Sequence, residues 1–144
     1  MTDDSSAAVG IVVVSHSGEL ADATVRLVAR LANLPSDGPL LVAAGGLEDG
    51  SIGTDATRIA DALVAADAGA GVVVLADLGS AVLATATAID ELIDPDLAAR
   101  VRISRGPLVE GTFVAAVQAS ARDALDGVLA AADDAASMNK LEGR

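Results

Sequence analysis

Four short apolar runs, each leading into a polar or glycine-rich turn and then a helical pattern, predict an α/β fold. The expected architecture is a doubly wound, mainly parallel sheet of four to five strands with helices on both faces. Two further observations support it. The runs are continuous and rich in valine, isoleucine and leucine, as in strands buried on both sides, and do not alternate as half-exposed strands do. The chain also has 144 residues, 52% of them hydrophobic, which suits one domain around a single core and argues against disorder.

Residues 1–8 read as a disordered leader, and 9–137 as the folded domain. Val9 to Val14 form the first strand. After Ser15-His16-Ser17-Gly18, the apolar residues Leu20, Ala23, Leu27, Val28 and Leu31, with Thr24 among them, recur at helical spacing. Ser17 or Gly18 is the expected N-cap, with Glu19 favourably placed in the first turn. Asn33 to Pro39 supply turn chemistry that ends this helix. Leu40 to Ala44 read as the second strand, followed by a glycine-rich loop from Gly45 to Gly53. Thr54 is placed to cap a helix running to about Ala66, with Ile59, Ala62, Leu63 and Ala66 inward. The third strand, Gly71 to Ala76, runs into Asp77-Leu78-Gly79-Ser80 and a helix from Ala81 to Leu92. Asp94 and Pro95 open a short helical turn. A fourth strand lies near Val101 to Ser104, Gly106-Pro107 breaks it, and residues 105–109 are the place for a fifth. Helices from Val109 to Ser120 and from Ala121 to Ala136 complete the domain, and 138–144 read as a frayed tail.

Composition narrows the function. The net charge of −12 would repel a phosphate backbone or an anionic membrane surface, so neither nucleic acid nor membrane is an expected partner. Phe113 is the sole aromatic residue, which removes stacking platforms for bases, sugars or flavins. There is no cysteine, no apolar run long enough to span a bilayer and no secretory n-region, so a cytoplasmic protein is expected.

In parallel sheets of this type ligands bind beyond the carboxyl ends of the strands. Two polar turns fall there, Ser15 to Gly18 and Asp77 to Ser80. His16 is the only histidine, set between small residues directly after a buried strand and before a helix start. It could serve as a base, a ligand, a nucleophile or simply a satisfier of backbone groups. Metal binding finds no second histidine or cysteine, and the nucleophile elbow and dinucleotide fingerprint are both missing, so no metal or cofactor is expected. Nucleophilic transfer remains, and the anion-friendly helix start makes phosphoryl the natural cargo. Asp77 is either a turn residue or the carboxylate that orients His16 from the neighbouring third strand. Ser80 is either the cap of its helix or a donor to phosphate oxygens. Arg105 and Glu110 follow the fourth strand on the same edge, as turn solvation or, for Arg105, as a phosphate contact.

Four segments occur together in one known setting. They are Val12-Val13-Val14-Ser15-His16-Ser17, the stretch from Ala43 through Gly46 to Ile52-Gly53-Thr54-Asp55, Asp77-Leu78-Gly79-Ser80-Ala81, and Pro107-Leu108-Val109-Glu110-Gly111. In that order they resemble the mannose-type EIIA domains of the sugar phosphotransferase system. Within these, they resemble the phosphotransferase subunit of phosphoenolpyruvate-dependent dihydroxyacetone kinase. The resemblance implies a phosphotransferase in which His16 is the phosphorylated histidine, a tele-phosphohistidine intermediate, although the residues alone leave the choice of ring nitrogen open. It implies Asp77 as the orienting carboxylate and Ser80 as the residue at the following helix start. HPr would be the phosphoryl donor, and ADP on the nucleotide-binding subunit of the kinase the acceptor. A further subunit would bind dihydroxyacetone, and the domain would be a homodimer. Some relatives carry HPr-like and enzyme-I-like domains on the same chain; the sequence ends at Arg144, so those activities are expected on separate proteins. The alternatives are a regulatory or anion-binding assembly domain and a small metal chelatase.

Overall fold

The computed structural model describes residues 7–143. Four strands, β1 (Gly10–Ser15), β2 (Leu41–Gly45), β3 (Val72–Ala76) and β4 (Val101–Ile103), form one sheet in the order β2-β1-β3-β4. Every pairing is parallel, with Val14 opposite Ala44 on one side and Ala76 on the other. The helices are α1 (Gly18–Leu31), α2 (Ala56–Ala66), α3 (Gly79–Thr87), α4 (Pro95–Ala98), α5 (Leu108–Ser120) and α6 (Leu125–Asp134).

Two cores flank the sheet because strand side chains alternate between its faces. Val12, Val14, Val72 and Val74 pack with Ile59 and Leu63 of α2 and Ala81 of α3. Val9, Ile11, Val73 and Leu75 pack on the other side with Val28 of α1, Ala115 and Ala119 of α5, and Val128 and Ala132 of α6. All six residues of β1 are buried, consistent with its unbroken apolar run. Each fully buried valine or leucine contributes about 1.5–3 kcal/mol of transfer free energy.

The chain leaves β1 through α1 toward β2, on one face. It leaves β3 through α3 toward β4, on the other. The carboxyl ends of β1 and β3 therefore lie side by side while their connections diverge, which makes this the switch point of the sheet. Gly45 keeps this end compact. A Cβ there would stand 2.5 Å from the Ser17 carbonyl oxygen and 2.9 Å from Gly18 Cα, so only glycine lets α1 start against the end of β2.

Local chemistry shifts several expected boundaries. Ser17 is the N-cap of α1, its hydroxyl accepting from the Leu20 amide at 3.1 Å. Asp55, and not Thr54, caps α2, because its carboxylate accepts from the amides of Thr57 and Arg58. The third long helix starts at Gly79, earlier than expected, and passes into a π-helical turn at Ala88–Leu92. Asp94 caps α4 as expected. No fifth strand forms at 105–109: Pro107 takes the N-cap position of α5, which begins at Leu108. The last helix begins at Leu125, not Ala121, because Arg122 adopts a positive φ of 64° that breaks the chain direction after α5. Ala8, placed by sequence in the leader, is already buried, while Met1 to Ser6 lie outside the described residues.

Candidate functional site

His16 is the first residue beyond β1 and Asp77 the first beyond β3. The register of the two strands sets Asp77 opposite Ser15, one residue before His16, so its carboxylate reaches both residues. The His16 ring sets Nδ1 2.9 Å from Asp77 Oδ1. The other carboxylate oxygen accepts from the His16 backbone N–H at 2.9 Å and from the Ser15 hydroxyl at 2.9 Å. The Ser15 hydroxyl in turn accepts the Ser17 amide at 3.0 Å, which leaves its own proton directed at Asp77. Ser15 is wholly buried, and the Asp77 side chain is 12% exposed.

These bonds decide the protonation pattern. Burial by itself would raise the Asp77 carboxyl. The hydrogen bonds from the His16 amide, the His16 ring and the Ser15 hydroxyl outweigh it and hold the group below its ordinary value of 3.8. Asp77 is therefore an ionised, acceptor-only group near neutral pH. Its neighbour Nδ1 must carry a proton, so in the neutral ring Nε2 holds the lone pair. The Ser80 hydroxyl lies 2.5 Å from Nε2 and donates to it. The ring side chain is 21% exposed, enough to open this edge to solvent.

Ser80 is not the helix cap: the N-cap position of α3 is Leu78, and no side chain caps that end. The N–H groups of Gly79 and Ser80, in the first turn, have no intrahelical carbonyl to bond. They belong to the turn whose Ser80 hydroxyl reaches Nε2, at the positive end of the helix dipole, where an anion attached to the ring would be stabilised. The loop after β2 is tied to the same place. Gly53 donates its amide to the His16 carbonyl at 2.9 Å, and Gly46 donates to the Ser15 carbonyl at 3.1 Å.

Of the residues singled out by sequence, His16, Asp77 and Ser80 are brought together, and Arg105 and Glu110 are not. The Arg105 side chain is exposed and its amide donates to Asp133. Glu110 pairs with Lys140 at 2.5 Å. Sequence reasoning treated Ser15 only as a small neighbour and missed its bond to Asp77. The signal was present: a hydroxyl ending an otherwise apolar, fully buried strand needs a buried partner. Among the described residues no group of three or more His, Cys, Asp or Glu is placed to hold a metal ion, and no helix is long and apolar enough to cross a membrane.

Comparison with known proteins finds relatives of the whole domain. A phosphoryl donor subunit DhaM of a phosphoenolpyruvate-dependent dihydroxyacetone kinase, from Klebsiella michiganensis, is 39% identical over 94% of this chain but only 28% of its own length. The Escherichia coli protein of the same name is 38% identical over 84% of this chain and 25% of its own length. This chain thus spans about a quarter of those relatives. A Listeria innocua phosphoryl donor subunit is 33% identical over 84% of this chain and 94% of its own length. Among solved structures, the protein EF1359, of unknown function, superposes with a TM-score of 0.75 at 32% identity, covering 88% of this chain and 94% of that one. A sigma-54 interaction domain protein from Enterococcus faecalis, 15% identical with a TM-score of 0.66 over 88% of this chain and 89% of its own, shares the fold. The family described as the PTS system fructose IIA component matches from Gly10, where β1 begins, to Leu129 within α6. With the sheet, the His16 turn and the Asp77 turn all inside that span, the chain belongs to the mannose-type EIIA family.

Proposed function

We propose that this chain is a phosphohistidine relay domain, with residues 9–137 as its working unit. In this reading Nε2 of His16 takes a phosphoryl group from HPr. It passes that group to ADP on the nucleotide-binding subunit of a dihydroxyacetone kinase, whose other subunit binds dihydroxyacetone. The observation that carries the reading is the division of labour on one ring: Nδ1 is occupied by an ionised carboxylate, and Nε2 is a lone pair at an open edge. The names of the curated relatives add the kinase as the recipient system.

The residues account for each stage. The Nε2 lone pair attacks phosphorus in line as the donor's bond to phosphorus breaks, and the electron pair returns to the donor. No proton has to leave Nε2, because the ring proton already sits on Nδ1. The imidazolium formed is stabilised by Asp77 through Nδ1–H. The Ser80 hydroxyl swings from Nε2 to a phosphoryl oxygen, joined by the first amides of α3. In the second half the Nε2–P bond breaks, a terminal ADP oxygen takes the phosphoryl group, and the ring returns to its starting tautomer. Positioning and charge compensation suffice for such a transfer. The same proposal includes a homodimer working in the cytoplasm.

The test is incubation with phosphoenolpyruvate, enzyme I and HPr, followed by mapping of the modified residue. One acid-labile, base-stable phosphate on His16 is expected, and a His16→Ala protein that labels equally well would end the relay reading. A regulatory or assembly domain, by contrast, would keep its function in a His16→Gln variant.

A further inference from the structure

Two of the bonds that fix His16 end on one carboxylate. Its backbone N–H and its ring Nδ1 both reach Asp77, at 2.9 Å each, so they tie the residue to β3 alone. A carboxylate that turned or shifted would carry the ring with it. A third bond comes from the opposite neighbour of β1, the strand β2. The loop after β2 leaves beside Ser15, where the Gly46 amide continues the ladder at 3.1 Å. It returns beside His16, where the Gly53 amide donates to the carbonyl at 2.9 Å. This loop keeps its shape by its own bonds and not by burial, for Glu48 to Ile52 are exposed. Leu47 donates its amide to the Ser51 carbonyl and Gly50 to the Leu47 carbonyl, both at 2.9 Å. One oxygen of Asp49, Oδ1, accepts the Ser51 amide at 2.9 Å and the Ser51 hydroxyl at 2.6 Å. These bonds close the loop as a clip whose far end presents Gly53 to the histidine. Gly53 stands at φ 153°, a backbone region open to glycine and costly for a residue with a Cβ. An added Cβ would also meet the Leu47 side chain at 3.0 Å, so the amide keeps its direction only as glycine.

We infer that Gly53 is a positioning residue of the phosphoryl transfer, and that the loop from Gly46 to Gly53 is the clip that holds His16 between its two neighbouring strands. The inference rests on the relay proposed for His16 and adds a part to it. Asp77 sets which ring nitrogen is free, and the clip sets where that nitrogen points. In-line transfer tolerates little error in aim, since a misplacement of about 1 Å can slow a reaction about 10²-fold. The demand is greatest on the phosphorylated ring. Ser80 has then turned from Nε2 to the phosphoryl group, and the clip is the anchor that does not run through Asp77.

The experiment compares the full chain with its Gly53→Ala, Asp49→Ala and Asp49→Asn variants, using phosphorylated HPr as the donor. Gly53→Ala turns the amide away from the His16 carbonyl. Asp49→Ala opens the clip at its exposed tip and leaves Gly53 in place, so it carries the test if the first variant fails to fold. Asp49→Asn keeps one oxygen for both Ser51 donors. In Gly53→Ala, kcat should fall about 10–100-fold with KM within about 3-fold. Asp49→Ala should lose about 3–10-fold in kcat, and Asp49→Asn should recover to within about 2-fold of the unaltered chain. The ¹H resonance of the Nδ1 proton, protected by its bond to Asp77, should broaden in the two alanine variants and stay sharp in Asp49→Asn. A folded Gly53→Ala chain with unchanged kcat and a sharp Nδ1 proton overturns the inference. So does a loss carried by KM alone, which would make the loop a donor contact. An Asp49→Asn protein as slow as Asp49→Ala would overturn it too, because the effect would then be one of charge. If phosphorylated HPr fails to label the unaltered chain, the relay falls and the transfer role with it, while the Nδ1 proton still reports whether the clip holds the ring.

Discussion

Replacing Asp77 by Asn tests the mechanism more sharply than removing the side chain. Oδ2 receives two hydrogen bonds, from the His16 amide and from the Ser15 hydroxyl, whose proton is committed by its own bond to Ser17. Both are donors, so the asparagine must turn its carbonyl oxygen toward them. Its NH2 group then faces His16 Nδ1, 2.9 Å away from the present oxygen position. An NH2 donor needs an acceptor, so the ring proton moves to Nε2 and the nucleophilic lone pair is lost. Folding should survive, because all three contacts persist with a neutral partner; the loss of charge assistance costs about 1–3 kcal/mol. Transfer should fall about 10³–10⁴-fold, the scale seen where an Asn substitution imposes the wrong tautomer on a catalytic histidine. Single-turnover transfer from phosphorylated HPr by rapid quench gives the rate, and ¹⁵N chemical shifts of the His16 ring give the tautomer. A variant that transfers within about 3-fold of the unaltered chain, or a ring that keeps its proton on Nδ1, would refute the reasoning.

Other predictions follow from the same contacts. Ser15→Ala removes one of the donors to Asp77 and orphans the Ser17 amide, so urea unfolding should show a loss of about 1–3 kcal/mol. The transfer rate should drop about 10-fold or more through looser orientation of the ring, and an unchanged rate would show that Ser15 serves stability alone. Ser80→Ala should slow transfer about 10–100-fold, as expected for one hydrogen bond to a charged group, without altering thermal stability. Asp67 is held below its ordinary value of 3.8 by hydrogen bonds from the Arg100 side chain, assisted by the amides of Gly69 and Gly71. A lowered folded-state value means that the carboxylate contributes stability above its unfolded value. That contribution is lost as pH falls through the folded one. Unfolding followed from pH 7 to pH 2 should therefore show a shallower acid decline in Asp67→Asn than in the unaltered chain; parallel curves would remove this pair from the acid response.

The sequence read alone already determines the architecture, because its signals are local. An unbroken valine run such as Val72 to Leu75 is stable only as a strand covered on both faces, and the helical spacing of Ile59, Leu63 and Ala66 needs no partner to be recognised. His16 and Asp77 stand out for the same reason: polar residues that directly follow buried strands fall at one edge of a parallel sheet. The boundaries that moved were those set by competition between neighbours, as when Asp55 displaces Thr54 as a cap or Pro107 turns an expected strand into a helix start.

Which of these residues meet is decided by the tertiary structure alone. Whether Asp77 caps its own helix or holds the histidine depends on strand order, since only β3 lying beside β1 brings residues 61 positions apart to 2.9 Å. Ser80 becomes a partner of Nε2 because the helix begins at Gly79 and turns its hydroxyl toward the exposed edge of the ring, and Ser15 joins the site because its hydroxyl meets Asp77 across the strand pair. Arg105 and Glu110 leave it because the chain after β4 engages α6 and the C-terminal segment instead. Propensity and periodicity act over a few residues, whereas the ring's tautomer is fixed by contacts that exist only once distant strands have paired.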